Sequence, residues 1–158
     1  MWWTEHKYRM IQNNLRDIDA GMDVDFEVAM LKKLHANVVQ LGCGGITAFS
    51  QTTLGCQKKS PFLRGDKFGE LLTKCHENNI RVIARFDVSK VHVDFETTHP
   101  EWLVKTAEGK HVYYNDTVVT CVNSDYQQNC TLEILRDILE RYPVDGIFFN
   151  MFGYPNND

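Results

Sequence analysis

Two side chains, a carboxylate and an amide, sit where an α/β fold would expose them to a ligand. Asp87 closes the strand-like run from Ile80 to Phe86 and is followed, after Val88, by Ser89 and Lys90. A carboxylate at the C-terminal end of a parallel strand reads as catalytic or sugar-binding, because such folds build their sites on that edge. Pairing with a nearby Arg or Lys is the plainer alternative. Asn150 ends a second run, from Gly146 to Phe149, and the two-residue period of a strand puts Gly146, Phe148 and Asn150 on one face. With that face inward, Asn150 meets the ligand space; an Asn that merely starts a loop is the alternative. Asn14 and Arg16 would occupy the same rim from the first strand. His92, Trp102 and Asn123 are loop candidates for contact with a sugar, although a loop tryptophan is more often a packing anchor. Asp145 precedes the last strand, at the opposite rim, where a turn residue caps or pairs locally. His35 falls at a helix C-terminus, where the dipole explains it, and His76, His99 and His111 form no constellation.

Four strands and three helices must hold these residues. A first strand is expected over 9–16. Asp23 or Asp25 can cap a helix over 26–35, whose apolar residues Phe26, Val28, Ala29, Met30, Leu31 and Leu34 recur at helical spacing. A strand over 36–42 follows, then a loop through Gly42-Cys43-Gly44-Gly45. That loop fits neither GxGxxG nor GxxxxGK[ST]. Asp66 begins a helix with Phe68, Leu71, Leu72 and Cys75 on its apolar side. The third strand runs over 80–87. A hairpin is expected around 112–114 and 118–122. The third helix spans 126–142, with Ile134, Ile138 and Leu139 as its core stripe, and the fourth strand spans 145–150. The order β-α-β-α-β-α-β predicts a parallel sheet with crossover helices. Both long inserts, 43–65 and 88–125, follow strands, whereas the connections entering strands are short. The inserts therefore gather at the C-terminal edge of the sheet.

The 158 residues suit one domain with a full core. A net charge of −4 with scattered basic residues argues against nucleic acid as a partner. No apolar run approaches the ~18 residues of a membrane span. The start, Met1-Trp2-Trp3-Thr4-Glu5-His6-Lys7, lacks the basic-then-apolar pattern of a signal peptide, so a cytoplasmic location is expected. Five cysteines, at 43, 56, 75, 121 and 130, are odd in number and irregular in spacing. Cys75 and Cys130 in helices and Cys121 in an apolar run are expected to be buried free thiols. No Cys/His set has zinc-ligand spacing, and no cofactor is expected.

Taken together, His99-Pro100-Glu101-Trp102, Gly109, Val122-Asn123-Ser124, Leu135 to Leu139, and Tyr142-Pro143-Val144-Asp145-Gly146-Ile147-Phe148-Phe149 resemble the first half of glycosidase-type (β/α)8 barrels. Ala84-Arg85-Phe86-Asp87-Val88-Ser89 fits the same pattern. The nearest likeness is to hypothetical glycoside hydrolases related to α-amylase-like and α-L-fucosidase-like enzymes, over roughly Tyr8 to Tyr154. The resemblance implies the first four βα units of a TIM barrel, with 1–158 a single domain forming its N-terminal half. It implies a carbohydrate substrate and a retaining two-carboxylate hydrolysis of O-glycosidic bonds. The family nucleophile is often an Asp at the end of the fourth strand, which is Asn150 here, and an amide cannot serve as that nucleophile. The acid/base would come from a later strand. Such a half-barrel is expected to be inactive alone. It would be completed by a C-terminal half or by a second copy in a homodimer, or else it is a non-catalytic carbohydrate-binding remnant. Asp87 then positions substrate or remains the one acid at the mouth.

Overall fold

The computed structural model describes residues 1–5 and 7–154. Its centre is a four-stranded, all-parallel sheet of β1 (Met10–Asn13), β2 (Val38–Gly45), β3 (Arg81–Asp87) and β4 (Gly146–Phe149), paired in chain order. Each step between neighbours is made by a helix: α1 (Val24–Lys33), α2 (Lys67–Glu77) and α3 (Thr131–Arg141). This is the parallel α/β arrangement with crossover helices that the order of elements predicts.

The local causes are conventional. Asp23 caps α1, its carboxylate accepting from the backbone N–H of Asp25 and Phe26, and Asp66 caps α2 by accepting from Gly69. Val24, Val28 and Leu31 of α1, Phe68, Leu71, Leu72 and Cys75 of α2, and Ile134 and Ile138 of α3 are buried in one core. That core also takes Val82, Ala84 and Phe86 from β3. The intervening Ile83, Arg85 and Asp87 therefore share the other face of the strand, by its period of two. β2 is buried along its whole length, as a central strand covered on both sides must be. The strands at the ends of the sheet are barer: Met10 of β1 and Ile147 and Phe148 of β4 are exposed.

Five expectations need correction. β1 is shorter than 9–16 and ends at Asn13, because the chain turns into a 3-10 helix (Asp17–Gly21). β2 continues through Gly45 with an irregularity between Gly42 and Gly44, where a loop was expected. Phe26 of α1 and Leu139 of α3 point to solvent, not into the core stripe. Cys121 and Cys130 are only partly buried. Cys43, Cys56 and Cys75 are buried free thiols, and burial pushes Cys56 up to about 12 and Cys75 up to about 11. Residues 126–130, expected as the first turn of α3, form a π-turn leading into it. The 88–125 insert holds the expected hairpin (Tyr113–Tyr114 with Thr117–Val119) and extends it to three strands with Lys90–His92. Among the described residues, no helix is long and apolar enough to cross a membrane.

Asp145 fastens the opposite rim. Its side chain is 8% exposed and accepts from Val82 N–H at 2.8 Å and from Arg81 at 2.9 Å, with His76 Nε2 at 2.8 Å. Burial alone would raise this carboxyl; the bonds from Val82, His76 and Arg81 outweigh burial and hold it below the usual carboxylate range. A depressed folded-state value adds stability above the ordinary carboxylate pKa and loses it as pH falls through the folded value. Asp145→Asn is expected to cost about 1–3 kcal/mol at neutral pH. In urea unfolding of the full chain, the gap from the parent should narrow below about pH 4.

Candidate functional site

The C-terminal rim of the sheet opens into a cleft of about 510 Å³. Arg16 and Asp17 line it from the segment after β1, Gly42 and Gly44 from β2, Arg85 and Asp87 from β3, and His92 and Asp116 from the three-stranded insert. The inserts that follow strands thus wall the site, as their placement required.

Asp87 is held from four sides. Ser89 Oγ donates to its Oδ1 at 2.9 Å, and Asn150 Nδ2 donates to its Oδ2 at 2.8 Å. Lys90 Nζ lies 3.9 Å from Oδ1 and Arg85 Nη2 lies 3.9 Å from Oδ2. The carboxylate remains 20% exposed, enough to meet a ligand. Asp87 is thus paired with Arg85 and Lys90, the plainer alternative, and it also lines the cleft. Asn150 reaches it because β3 and β4 pair Arg85 with Phe148 and Phe86 with Phe149, which sets Asn150 beside Asp87. The backbone N–H of Asn150 also donates to Phe86 O at 2.8 Å, fixing the strand end.

Gly45 completes the support. Its φ is +112°, and a Cβ there would lie 2.0 Å from Asp87 O. Only glycine permits the approach, which lets Ile46 N–H donate to Asp87 O at 2.8 Å. The tight contact that a glycine run can signal is made here with the backbone of the neighbouring strand. Gln57 Oε1 accepts from Gly45 N–H at 3.1 Å and braces the same end.

The other predicted residues are scattered. Arg16 lines the cleft, but its guanidinium pairs with Asp19 at 3.1 Å, and its backbone N–H donates to the same carboxylate at 2.8 Å where the 3-10 turn begins. Asn14 bonds Gln12 at 2.6 Å and borders a separate, smaller depression. His92 lines the cleft with Nε2 2.8 Å from Lys58 Nζ and Nδ1 2.9 Å from Asp94 Oδ2. Trp102 is 4% exposed, stacked on His99 at 3.7 Å and packed on Tyr126 at 5.2 Å, so it anchors its loop outside the cleft wall. Asn123 sits in the turn before Asp125 and is not among the cleft's lining residues.

Sequence reasoning did not single out Arg85, Asp17 or Asp116. Arg85 lies two residues before Asp87, so the strand period offered a signal. Asp17, whose Oδ1 accepts from Thr47 Oγ1 at 2.8 Å, and Asp116 arrive from separate connections and gave none. Two buried polar atoms near the site, Arg85 Nε and Tyr126 Oη, have no bonded partner among the described residues. Burial pushes the Tyr126 phenol up, and Cys56, Cys130 and Asp87 add to the shift. Among the described residues, no three of His, Cys, Asp and Glu gather so as to hold a metal ion.

The family model of hypothetical glycosyl hydrolase 6 matches residues 23–151. A comparison with curated proteins found no match. Among solved structures, α-L-fucosidase isoenzyme 2 from Paenibacillus thiaminolyticus aligns with a TM-score of 0.75 at 20% identity, over 94% of this chain and 24% of that one. The noncanonic maltogenic α-amylase AmyB from Thermotoga neapolitana aligns with a TM-score of 0.64 at 19% identity, over 93% and 40%. The α-galactosidase from Lactobacillus brevis gives 0.59 at 18% identity, over 90% and 20%. These likenesses carry the fold, and the chain spans from a fifth to two fifths of the length of each protein.

Gly45→Ala is expected to destabilise the full chain by about 3 kcal/mol or more, since the backbone contact leaves the methyl group no room. Thermal unfolding measures the loss. Gly55→Ala, where a Cβ meets nothing within 4 Å, is the matched control and should change little.

Proposed function

The chain belongs to the hypothetical glycosyl hydrolase 6 family, and we propose that this glycoside hydrolase-like domain binds carbohydrate at the C-terminal rim of its sheet, with Asp87 as the anchor. The observation that carries the reading is the clamped, partly exposed Asp87 facing a cleft whose size falls within the ~300–1,000 Å³ of small-molecule sites. A carboxylate offers about four lone-pair positions. Ser89 and Asn150 use two, which leaves acceptors for the hydroxyl groups of a sugar.

The reaction we assign to the site is hydrolysis of an O-glycosidic bond with two carboxylates. That chemistry needs a second carboxylate across the bond, about 5–9.5 Å away according to stereochemical course. Asn150 cannot be the nucleophile, because an amide oxygen does not form and release a glycosyl ester as a carboxylate does. Its role in this reading is to donate to Asp87. Asp17 and Asp116 share the cleft and are the in-chain candidates for the second group. We further assign the four βα units to the N-terminal half of an eight-stranded barrel, whose other half would supply the acid/base.

Non-catalytic carbohydrate binding is the second reading, and the amide of Asn150 at the fourth-strand position favours it. Turnover separates the two. The full chain is assayed on 4-nitrophenyl α-L-fucoside, α-galactoside and α-maltoside, and titrated with L-fucose, galactose and maltose by NMR. We expect binding of at least one sugar, weakened about tenfold or more in Asp87→Ala, the loss of a charge-assisted hydrogen bond. Hydrolysis that disappears in Asp87→Asn supports catalysis, and binding without hydrolysis supports the second reading. Absence of binding to any of the sugars, or binding indifferent to Asp87→Ala, rejects the assignment of Asp87 as anchor.

A further inference from the structure

The four contacts on Asp87 have an internal order. A lysine ammonium only donates hydrogen bonds. Lys90 Nζ lies 2.9 Å from Ser89 Oγ, so that oxygen accepts from it. The single hydroxyl proton of Ser89 is then committed to Asp87 Oδ1, 2.9 Å away. Lys90 is 6% exposed, with Nζ 5.4 Å from the centre of the Tyr114 ring and 3.8 Å from Met151 Sδ. A buried ammonium is costly unless a counter-charge stands near it, and Asp87 Oδ1, at 3.9 Å, is that charge. The strand that carries Lys90 makes no demand for lysine: Lys90–His92 pairs with Thr117–Val119 through the main chain.

We propose that Lys90 is a positioning residue that acts through Ser89: it sets the direction of the Ser89 hydroxyl and thereby the orientation in which Asp87 meets its ligand. Lys90 needs no contact with the ligand for this role. The inference rests on Asp87 being the carbohydrate anchor proposed above.

The test uses the full chain and the variants Ser89→Ala, Lys90→Met, Lys90→Arg and Asp87→Asn, with Asp87→Ala as reference. Two readouts are taken: affinity for L-fucose, galactose and maltose, and the ¹⁵N–¹H signal of the Lys90 ammonium, assigned by its disappearance in Lys90→Arg. We expect Ser89→Ala and Lys90→Met each to weaken sugar binding by about ten- to a hundredfold. Lys90→Arg, which can still donate to Ser89, should recover most of that loss. The ammonium signal should move in Ser89→Ala and in Asp87→Asn, a response that simple packing of Lys90 against Tyr114 would not give. Sugar binding lost in Asp87→Ala but unchanged in Ser89→Ala overturns the relay and leaves the anchor standing. Binding unaffected by Asp87→Ala overturns the anchor and the relay with it. An ammonium signal indifferent to both Ser89→Ala and Asp87→Asn overturns the relay whatever the sugars do. Ser89→Ala removes one partly exposed hydroxyl, so it keeps the test decisive should Lys90→Met fail to fold.

Discussion

A side chain at position 45 would collide with the carbonyl oxygen of Asp87, and the rim is arranged around that prohibition. Because position 45 is glycine, β2 can run past its irregularity and press its end against β3. Ile46 N–H then takes the Asp87 carbonyl. The main chain of Asp87 is thereby held by the second strand while its side chain is held by the fourth through Asn150. Three consecutive strands converge on one residue. Gly44 adds to this: a Cβ there would press on Gln57 Oε1 at 3.0 Å and Ile134 Cγ2 at 3.2 Å, so the glycine keeps the same end of β2 close to α3.

The electrostatics follow from this placement. Each oxygen of Asp87 has one neutral donor in bonding distance and one cation further out. The cations could not sit in this semi-buried rim without an anion, and the anion could not turn inward without donors. The charges and donors of the cluster thus compensate one another. The opposite rim repeats the logic with Asp145, whose bonds to Val82 and Arg81 tie β4 to β3 at its start. Between the two carboxylates the register of this strand pair is pinned at both ends. A slip of one residue would send Asn150 to the wrong face.

Much of the fold was readable in the sequence because local signals and burial agree there. Asp23 and Asp66 announced two helices through their capping chemistry, and Phe68, Leu71, Leu72 and Cys75 fall on the buried side of α2 at helical spacing. The shared face of Arg85 and Asp87, and the approach of Asn150 to it, follow from the period of a strand. What failed depended on specific partners, near or far in sequence, that no periodicity records. The glycine run after Leu41 looks like a loop because glycine has no strand preference of its own; only the contact with Asp87 makes it strand. Arg16 looks free for a ligand until Asp19, three residues on, claims it. Trp102 could face solvent or core, and His99 and Tyr126 decide for the core. Asp17 and Asp116 reach the cleft through tertiary folding that no spacing records. Leu139 lies on the spacing of a core stripe, yet the structure leaves it in solvent on the outer layer.

The two outer strands are where the sheet can be extended. Among the described residues, β1 and β4 each have one side without a hydrogen-bonding neighbour in the sheet, and exposed Met10, Ile147 and Phe148 lie on them. An uncovered strand with apolar flanks is a template for another chain. The modest charge of −4 offers little long-range repulsion against such an encounter. Any strand that docks there, from this polypeptide or another, would extend the sheet through main-chain bonds and would be selected by its fit to Met10, Ile147 and Phe148 more than by charge.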